Sequence, residues 1–274
     1  MFPVDIGVSR DLRSGARNPL IRKKLAYGTK NFHKEPAMSR ETAVSAIAAG
    51  ISVAGELKEK GYRLIATGEM GIGNTTTSSA VAAMLLDRDP AEMTGRGAGL
   101  SDEGLMKKIS VIREAVKRYG PECRDAIDVI REAVKRYGPE CSDAIDVIAH
   151  VGGLDLAGLT GVFLGGAVYR IPVLIDGFIS GTAALAAAKL APAARDYMLA
   201  THVSAEPAGR LLLDELGLKP FVAAGMCLGE GTGAVASIPL LDMALEVYTK
   251  MSTFQDIQIE EYKPLAPQTN SGAH

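Results

Sequence analysis

The fold is decided by the stretch YRLIATGEMGIGNTTTSSAVAAMLL, which covers residues 62–86. It begins with a short apolar run, residues 62–67, that has the length and composition of a buried strand. A glycine-rich turn follows over residues 68–74, and residues 75–86 then have the apolar spacing of a helix. A strand, a glycine turn and a helix in this order predict one βα unit of a parallel sheet.

Two further stretches repeat this order. Residues 171–177 form an apolar run before a helical pattern over 180–190, and residues 221–225 lead through a glycine loop at 228–233 to a helix ending near Met251. In an open parallel sheet, ligands bind outside the carboxyl ends of the strands, where all three loops fall. We therefore predict an α/β fold with a doubly wound, Rossmann-like, mostly parallel sheet and helices on both faces.

The domain organisation includes an internal repeat. Residues 1–262 are predicted to form a single α/β domain, and residues 263–274, rich in Pro, Gln, Asn, Ser and Gly, a loose tail. Residues 111–128 recur as residues 129–146, with Arg124 replaced by Ser142 as the one difference. Such near-identity over one short unit indicates a recent or engineered tandem duplication, and we predict an added helix and turn without chemistry.

Composition and charge exclude several classes of function. The 274 residues are 47% hydrophobic and carry a net charge of −2, so the chain is predicted to fold and has no basic field for nucleic acid or an anionic membrane. Three cysteines without regular spacing indicate no disulfide framework, and the four histidines have no metal-ligand spacing. With no leader or spanning segment in the sequence, we predict a cytoplasmic protein.

The turn GIGNTTT at residues 71–77 is a candidate anion site. Glycines permit close backbone approach, and successive N–H groups at a helix N-terminus bind an anion. The spacing matches neither GxGxxG nor the Walker motif, which argues against a dinucleotide oxidoreductase. An ordinary glycine turn with threonine caps is the alternative. Glu69 beside an anion site is electrostatically favourable only if it faces a cationic part of the ligand.

The second glycine loop, GEGTG at residues 229–233, places Glu230 at the end of a predicted strand. A carboxylate exposed to a crevice is suited to act as a general base, and a solvated glutamate in a turn is the alternative. Two glutamates and an anion site together predict a substrate with a phosphate and a developing positive charge. A nucleotide cleaved at its glycosidic bond has both.

Other residues fit the same substrate. Lys108 follows the glycine turn GRG at 95–97 and could bind a phosphate, or could lie on a solvated helix. Asp176 ends an apolar run, where it could be a site carboxylate or the N-cap of the next helix. Ser204 could donate to a phosphate or cap a helix starting near Ala205. His202 lies near a strand end, where a structural role is the preferred interpretation.

Four motifs together resemble one family, the nicotinate nucleotide:dimethylbenzimidazole phosphoribosyltransferases. They are GEMGIGNTTTSSA at 68–80, VGGLDLAGLTG at 151–161, PVLIDGFIS at 172–180 and LGEGTGA at 228–234. The resemblance runs from about Asp5 to about Asp256. It implies a cofactor-free, typically homodimeric enzyme with a Rossmann-like sheet. Such an enzyme transfers phosphoribose from nicotinate mononucleotide to a benzimidazole-type acceptor, and so makes α-ribazole phosphate for the lower ligand of cobalamin.

The resemblance also implies roles for particular residues. Glu230 corresponds to the general base and Glu69 to a second site carboxylate, while Gly71, Gly97, Lys108 and Ser204 surround the phosphate and ribose. With the residues chosen from the two loops, the full predicted set has Glu69 and Glu230 as catalytic groups and the following as substrate-binding residues: Gly71, Gly73, Asn74, Thr75, Gly97, Lys108, Asp176, Ser204, Gly229 and Gly231.

The chain departs from the family pattern in four places. Family members have a further section before the Asp5 segment, a histidine where Arg210 stands and commonly an arginine where Cys227 stands, and they have one copy of the repeated unit. We therefore expect a complete nucleotide half of the site and an acceptor half that lacks part of its pocket. A catalytically silent nucleotide-binding paralogue is the alternative to an active transferase.

Overall fold

The computed structural model describes residues 1–13, 19–97, 99–137 and 143–260, with backbone alone for 121–137. The tail predicted over residues 263–274 lies outside these ranges. The chain divides into two compact units, Met1–Ser237 and Ile238–His274. The first unit contains the strands and every predicted site residue. The described part of the second consists mainly of one helix, and the single domain predicted over residues 1–262 stays a prediction.

Parallel strand pairs form two small sheets in the first unit. The strands are β1 (Val4–Asp5), β2 (Ile21–Arg22), β3 (Ile65–Ala66), β4 (Val173–Ile175) and β5 (Met198–Ala200). β1 pairs with β2, and the larger sheet has the order β3-β4-β5 with all neighbours parallel. Val173 in the central strand pairs with Ile65 on one side and Met198 on the other. The predicted α/β class with a parallel sheet is confirmed.

Helices make up most of the remaining described residues. They are α1 (Arg40–Glu59), α2 (Asn74–Leu86), α3 (Pro90–Met93), α4 (Asp102–Tyr137), α5 (Ala144–Val151), α6 (Leu154–Tyr169), α7 (Phe178–Leu190), α8 (Gly209–Glu215), α9 (Thr232–Ala236) and α10 (Ile238–Lys250). A short 3-10 helix, Pro192–Tyr197, precedes β5. The first helix begins after Ser39, whose Oγ accepts a hydrogen bond from the backbone N–H of Thr42.

One strand prediction was wrong. Residues 221–225 form no strand, and the run makes only an isolated parallel bridge between Val222 and His202. The N–H groups of Phe221 and Val222 donate to the carbonyl of Thr201, and the N–H of Val203 donates to the carbonyl of Val222, so the pairing of this run is limited to one bridge. Phe221 and residues 223–225 are exposed, and no burial of an apolar face holds them to the sheet. The outer strand is instead β5, which is only three residues long.

Close helix packing explains the content of alanine and glycine. Helices α1 and α6 approach each other where Gly50 meets Gly158 and Gly161, because a Cβ on Gly50 or Gly161 would overlap backbone of the other helix. β4 is buried along its whole length, and its Val173 belongs to the main core together with Phe163. This core supports the carboxyl ends of β3, β4 and β5, from which the predicted site loops leave.

The repeated segment contributes to the core from both ends. In the first copy Ile112, Ala115 and Tyr119 of α4 are buried. In the second copy Asp143 caps α5, and Arg40 donates a 2.7 Å hydrogen bond to its carboxylate. The first copy's start and the second copy's end therefore supply these contacts. The side chains between them, including those of Cys123 and Cys141, lie outside the described residues.

Candidate active site

The loop after β3 folds the carboxylate of Glu69 back onto its own backbone. Oε2 of Glu69 accepts a 3.1 Å hydrogen bond from the N–H of Gly71 and a second bond from Nδ2 of Asn74. Asn74 also donates to Oδ2 of Asp155 at 3.2 Å. Burial raises the pKa of Glu69, while the two donated hydrogen bonds oppose that rise. Glu69 is thus half-buried, fixed in place and more easily protonated than an ordinary glutamate.

The predicted anion site over residues 71–77 lies at the start of α2. The N–H of Gly71 is already donated to Glu69. Gly73, at φ +81°, is the N-cap of α2 and brings no side-chain cap, and the first turn contains no acidic residue. The positive end of the α2 dipole therefore points outward at residues 73–75, where it favours a bound anion.

The second loop presents Glu230 to solvent in a backbone conformation that a side chain rarely adopts. Gly229, Glu230 and Gly231 have φ values of +76°, +58° and +83°. The Glu230 side chain is exposed and makes no hydrogen bond or ion pair with another described residue. Asp176 accepts 3.0 Å hydrogen bonds from the N–H of Gly231 and of Ala234. The carboxylate of Glu230 is therefore available to a ligand while its backbone is held from below.

The two loops touch each other. A Cβ on Gly229 would lie 3.5 Å from Oε1 of Glu69, and a Cβ on Gly68 would lie 3.0 Å from the carbonyl carbon of Glu230. A Cβ on Gly231 would lie 3.1 Å from the carbonyl oxygen of Thr67. The structure therefore brings the Glu69 and Glu230 loops to one edge of the sheet, and glycine is what permits the close approach.

Lys108 joins the GRG turn at residues 95–97 to the first turn of α2. Its Nζ donates to Oγ1 of Thr75 at 3.0 Å and to the carbonyl of Gly95 at 2.9 Å, and the side chain is buried. Burial lowers the pKa of Lys108, and the carboxylate of Glu206 opposes that shift. A Cβ on Gly97 would lie 2.8 Å from Oγ1 of Thr75. Lys108, Thr75 and Gly97 thus form one cationic group.

Ser204 lies two residues before Glu206, whose carboxylate lies against Gly95. It is buried, and its Oγ accepts a 3.3 Å hydrogen bond from the N–H of Glu206. A Cβ on Gly177 would lie 4.0 Å from that Oγ, which places Ser204 beside the residue after Asp176. Helix α8 begins only at Gly209, later than the start near Ala205 that the sequence suggested.

Three residues near the candidate site are absent from the set of site residues that the sequence predicts. Asp155 shares Asn74 with Glu69, and its motif, VGGLDLAG, carried a signal because it places an acid at the start of a helix after two glycines. Glu206 lies against Gly95, and its Oε2 is buried without a hydrogen-bond partner among the described residues. His202, for which the sequence favours a structural role, has its imidazole directly against Gly233 in the first turn of α9.

The described residues show neither a metal cluster nor a membrane-spanning helix. In that part of the chain no three His, Cys, Asp or Glu side chains are grouped closely enough to hold a metal ion. No described helix is both long and apolar enough to cross a membrane.

Comparison with known proteins points to one family. A family model described as phosphoribosyltransferase matches residues 1–131 and 120–259, and the two matches overlap inside the repeated segment. The chain is 48% identical over 262 residues to nicotinate-nucleotide–dimethylbenzimidazole phosphoribosyltransferase of Ruminiclostridium cellulolyticum, covering 96% of this chain and 68% of that protein. It is 46% identical over 261 residues to the enzyme of the same name from Acetivibrio thermocellus, covering 95% and 68%.

Solved structures agree with the sequence comparison. The crystal structure of CobT from Thermus thermophilus matches with a TM-score of 0.80 and 36% identity, covering 94% of this chain and 71% of that one. A second structure from the same organism, titled as the nicotinate-nucleotide-dimethylbenzimidazole phosphoribosyltransferase, matches with a TM-score of 0.78 and 35% identity, covering 94% and 70%. The likeness thus extends through the strands, loops and helices that form the candidate site.

Proposed function

The chain belongs to the nicotinate-nucleotide–dimethylbenzimidazole phosphoribosyltransferase family, and on that basis we propose how its site performs the family's reaction. The enzyme transfers phosphoribose from nicotinate mononucleotide to 5,6-dimethylbenzimidazole or a related azole. The products are α-ribazole 5′-phosphate and nicotinate, and the reaction serves lower-ligand synthesis of cobalamin.

The contact between the two glutamate loops carries this proposal. Both carboxylates lie at one sheet edge, and Gly229 approaches Glu69 closely. Nicotinate departs with the electron pair of its C–N bond, so positive charge develops at the anomeric carbon and on the ring oxygen of ribose. Negative carboxylates fixed nearby stabilise that charge in the transition state.

The available carboxylate of Glu230 takes the proton. As one azole nitrogen attacks the anomeric carbon, Glu230 accepts the N–H proton of the other nitrogen, and the product azole is left neutral. Attack on the face opposite the departing nicotinate inverts the anomeric carbon, and a β-nucleotide gives an α-glycosidic product. All electrons and the one proton are accounted for by the two substrates and Glu230.

The phosphate is assigned to the other end of the site. Lys108, the N-terminus of α2 at Gly73 to Thr75, and Gly97 offer a cation and backbone donors on one side, with Ser204 nearby. A phosphate next to Nζ of Lys108 would restore the charge that burial disfavours. We assign Gly71 and Asn74 to holding Glu69, because both donate to its carboxylate.

Two further properties belong to the proposal. A homodimer, which the resemblance implied, is tested by sedimentation equilibrium. A cytoplasmic location rests on the sparse, irregularly spaced cysteines.

Incubation with nicotinate mononucleotide and a panel of azoles tests the reaction. We expect nicotinate release, followed by chromatography, that depends on the azole and yields an α-ribazole product. Reactions without azole are the control for simple hydrolysis. Binding of the nucleotide without azole-dependent release would instead identify a silent nucleotide-binding protein.

A further inference from the structure

Asp176 holds the loop that carries Glu230. It follows β4 directly, and only 3% of its surface is exposed. Oδ2 accepts from the N–H of Gly231 at 3.0 Å, and Oδ1 accepts from the N–H of Ala234 at 3.0 Å. Both carboxylate oxygens are therefore engaged by backbone 55 and 58 residues further along the chain.

These bonds replace a missing helix cap. The N-cap of α9 is Gly231, which has no side chain to accept from the N–H groups of the first turn. Asp176 accepts from that turn in its place, and its negative charge also favours the positive end of the helix. A residue from the central strand thus fixes where α9 begins.

The conformation of Glu230 depends on the same contacts. Its φ of +58° is unfavourable for a residue with a side chain and persists only where the surroundings hold it. The peptide N–H that follows Glu230 is the one bound by Asp176. From the other side, Gly68 packs against the Glu230 carbonyl. Beneath the helix, the imidazole of His202 fills the space that a side chain at Gly233 would need.

We propose that Asp176 is a positioning residue, which directs the Glu230 carboxylate at the acceptor through the backbone of residues 231–234 and does not itself touch substrate. This inference rests on the proposed function, and it replaces the substrate-binding role that the sequence suggested for Asp176. The titratable groups on which the Asp176 charge acts are Glu69, whose pKa it helps to raise, and His202, where it opposes the lowering of the pKa by burial. Neither group takes the place of the two backbone N–H groups, of Gly231 and Ala234, that donate to the Asp176 carboxylate.

The test is Asp176→Asn, which keeps the shape but removes the charge and sets an amide N–H₂ against one of the backbone donors. We expect kcat for azole-dependent nicotinate release to fall by ~10²-fold, the effect of displacing a reacting group by about 1 Å. The KM for nicotinate mononucleotide should stay within about three-fold, because the phosphate group at Lys108 is untouched. In a Glu230→Gln background the same change should cost little more, since the base that it positions is already gone.

Thr160→Val is the matched control. Thr160 is fully buried, and its hydroxyl donates to the carbonyls of Leu156 and Ala183, neither of which belongs to the Glu230 loop. This variant should lose stability comparable to Asp176→Asn and keep kcat. Ala234→Pro removes one of the two donors from the helix side, at a first-turn position that tolerates proline, and should reproduce the kcat loss.

Amide hydrogen exchange separates this inference from the proposed function. Gly231 and Ala234 should lose protection in Asp176→Asn while amides of β4 keep theirs, whether or not the wild type transfers phosphoribose. A wild type without transferase activity would overturn the proposed function alone. Unchanged exchange, a rise in nucleotide KM matching the fall in kcat, or general loss of the fold would overturn the positioning role.

Discussion

Glu69 and Glu230 occupy similar glycine-flanked loops, which differ in whether hydrogen bonds hold the glutamate side chain or the backbone around it. The carboxylate of Glu69 is half-buried and bound by Gly71 and Asn74 within its own loop. The carboxylate of Glu230 is exposed, and the backbone around it is bound by Asp176. One loop fixes its side chain and the other fixes its main chain. A fixed, desolvated carboxylate suits electrostatic recognition of a cation, and an available carboxylate on a rigid backbone suits proton transfer.

Replacing each glutamate by glutamine should separate these two roles most strongly. Glu230→Gln removes the proton acceptor while keeping size and polarity, so turnover should fall by ~10²-fold or more. Steady-state release of nicotinate with saturating azole measures it. A fall of less than about three-fold would transfer the role of base to another group and remove the distinction between the loops.

Two alanine substitutions at glycine should disturb one loop each. Gly233→Ala would press a methyl group into the imidazole of His202, which is buried, and we expect a loss of ~1–3 kcal/mol in stability. Displacement of α9 should also lower turnover by ~10-fold through the Glu230 loop. Thermal unfolding and kcat give the two values.

Gly71→Ala is the counterpart in the other loop, because its methyl group would overlap the carboxylate of Asp155. It should displace Glu69 and raise the KM for the nucleotide more than it lowers kcat. The same kinetic pattern for both alanine variants would show that the loops act as one unit.

Glu69→Gln should have a smaller effect on activity and stabilise the fold. Because burial raises the pKa of Glu69, the protonated form is favoured in the folded state. That stability is present at pH below the ordinary glutamate range and is lost as pH rises through the raised pKa. At pH above the raised pKa the variant should therefore unfold at a higher temperature than the wild type, and its stability should decline less as pH rises above the ordinary glutamate range.

The activity of the same variant tests the recognition role. The nucleotide KM should rise by about five-fold, the size of one ion pair worth ~1 kcal/mol. Wild-type stability that increases as pH rises above the ordinary glutamate range, with the glutamine variant less stable throughout, would contradict the pKa shift and its cause.

Deleting residues 129–146 should affect neither loop. The deletion leaves one copy of the repeated unit, so Asp125 and Asp128 take the sequence places of Asp143 and Asp146 opposite Arg40. We expect stability within about 0.6 kcal/mol of the parent, or higher, because the remaining copy has the same sequence at these contacts and the connection becomes shorter. Chemical denaturation measures it. A soluble deletion variant that no longer binds nucleotide would place the extra copy in the site.

The sequence predicted the parts of the fold that local pattern controls. Helices α2 and α7 began within two residues of the predicted starts, because glycine turns and apolar periodicity mark them. The run at 221–225 was misassigned, since its composition suits a strand but its exposed side chains gain nothing from the sheet. Strand β5 directly follows a 3-10 helix and is only three residues long, which is too short to show an alternating pattern of apolar and polar residues.

The site divides in the same way. Glu69 and Glu230 could be proposed as site residues because each lies in a glycine loop whose spacing is visible in the sequence. The contacts of Asp176 could not be predicted from the sequence, since its partners lie 55 and 58 residues away and the contacts depend on how β4 and α9 meet. Glu206 and Asp155 also join the site only through tertiary packing.

Calorimetric titration of nicotinate mononucleotide into the wild type and Glu230→Gln tests the central claim most directly, that binding and proton transfer are divided between separate groups. The phosphate end at Lys108 and the carboxylate of Glu69 are intact in the variant. The account predicts Kd values within about three-fold of each other, although turnover differs by ~10²-fold. A loss of nucleotide affinity as large as the loss of turnover would make Glu230 a nucleotide-binding residue and contradict the account.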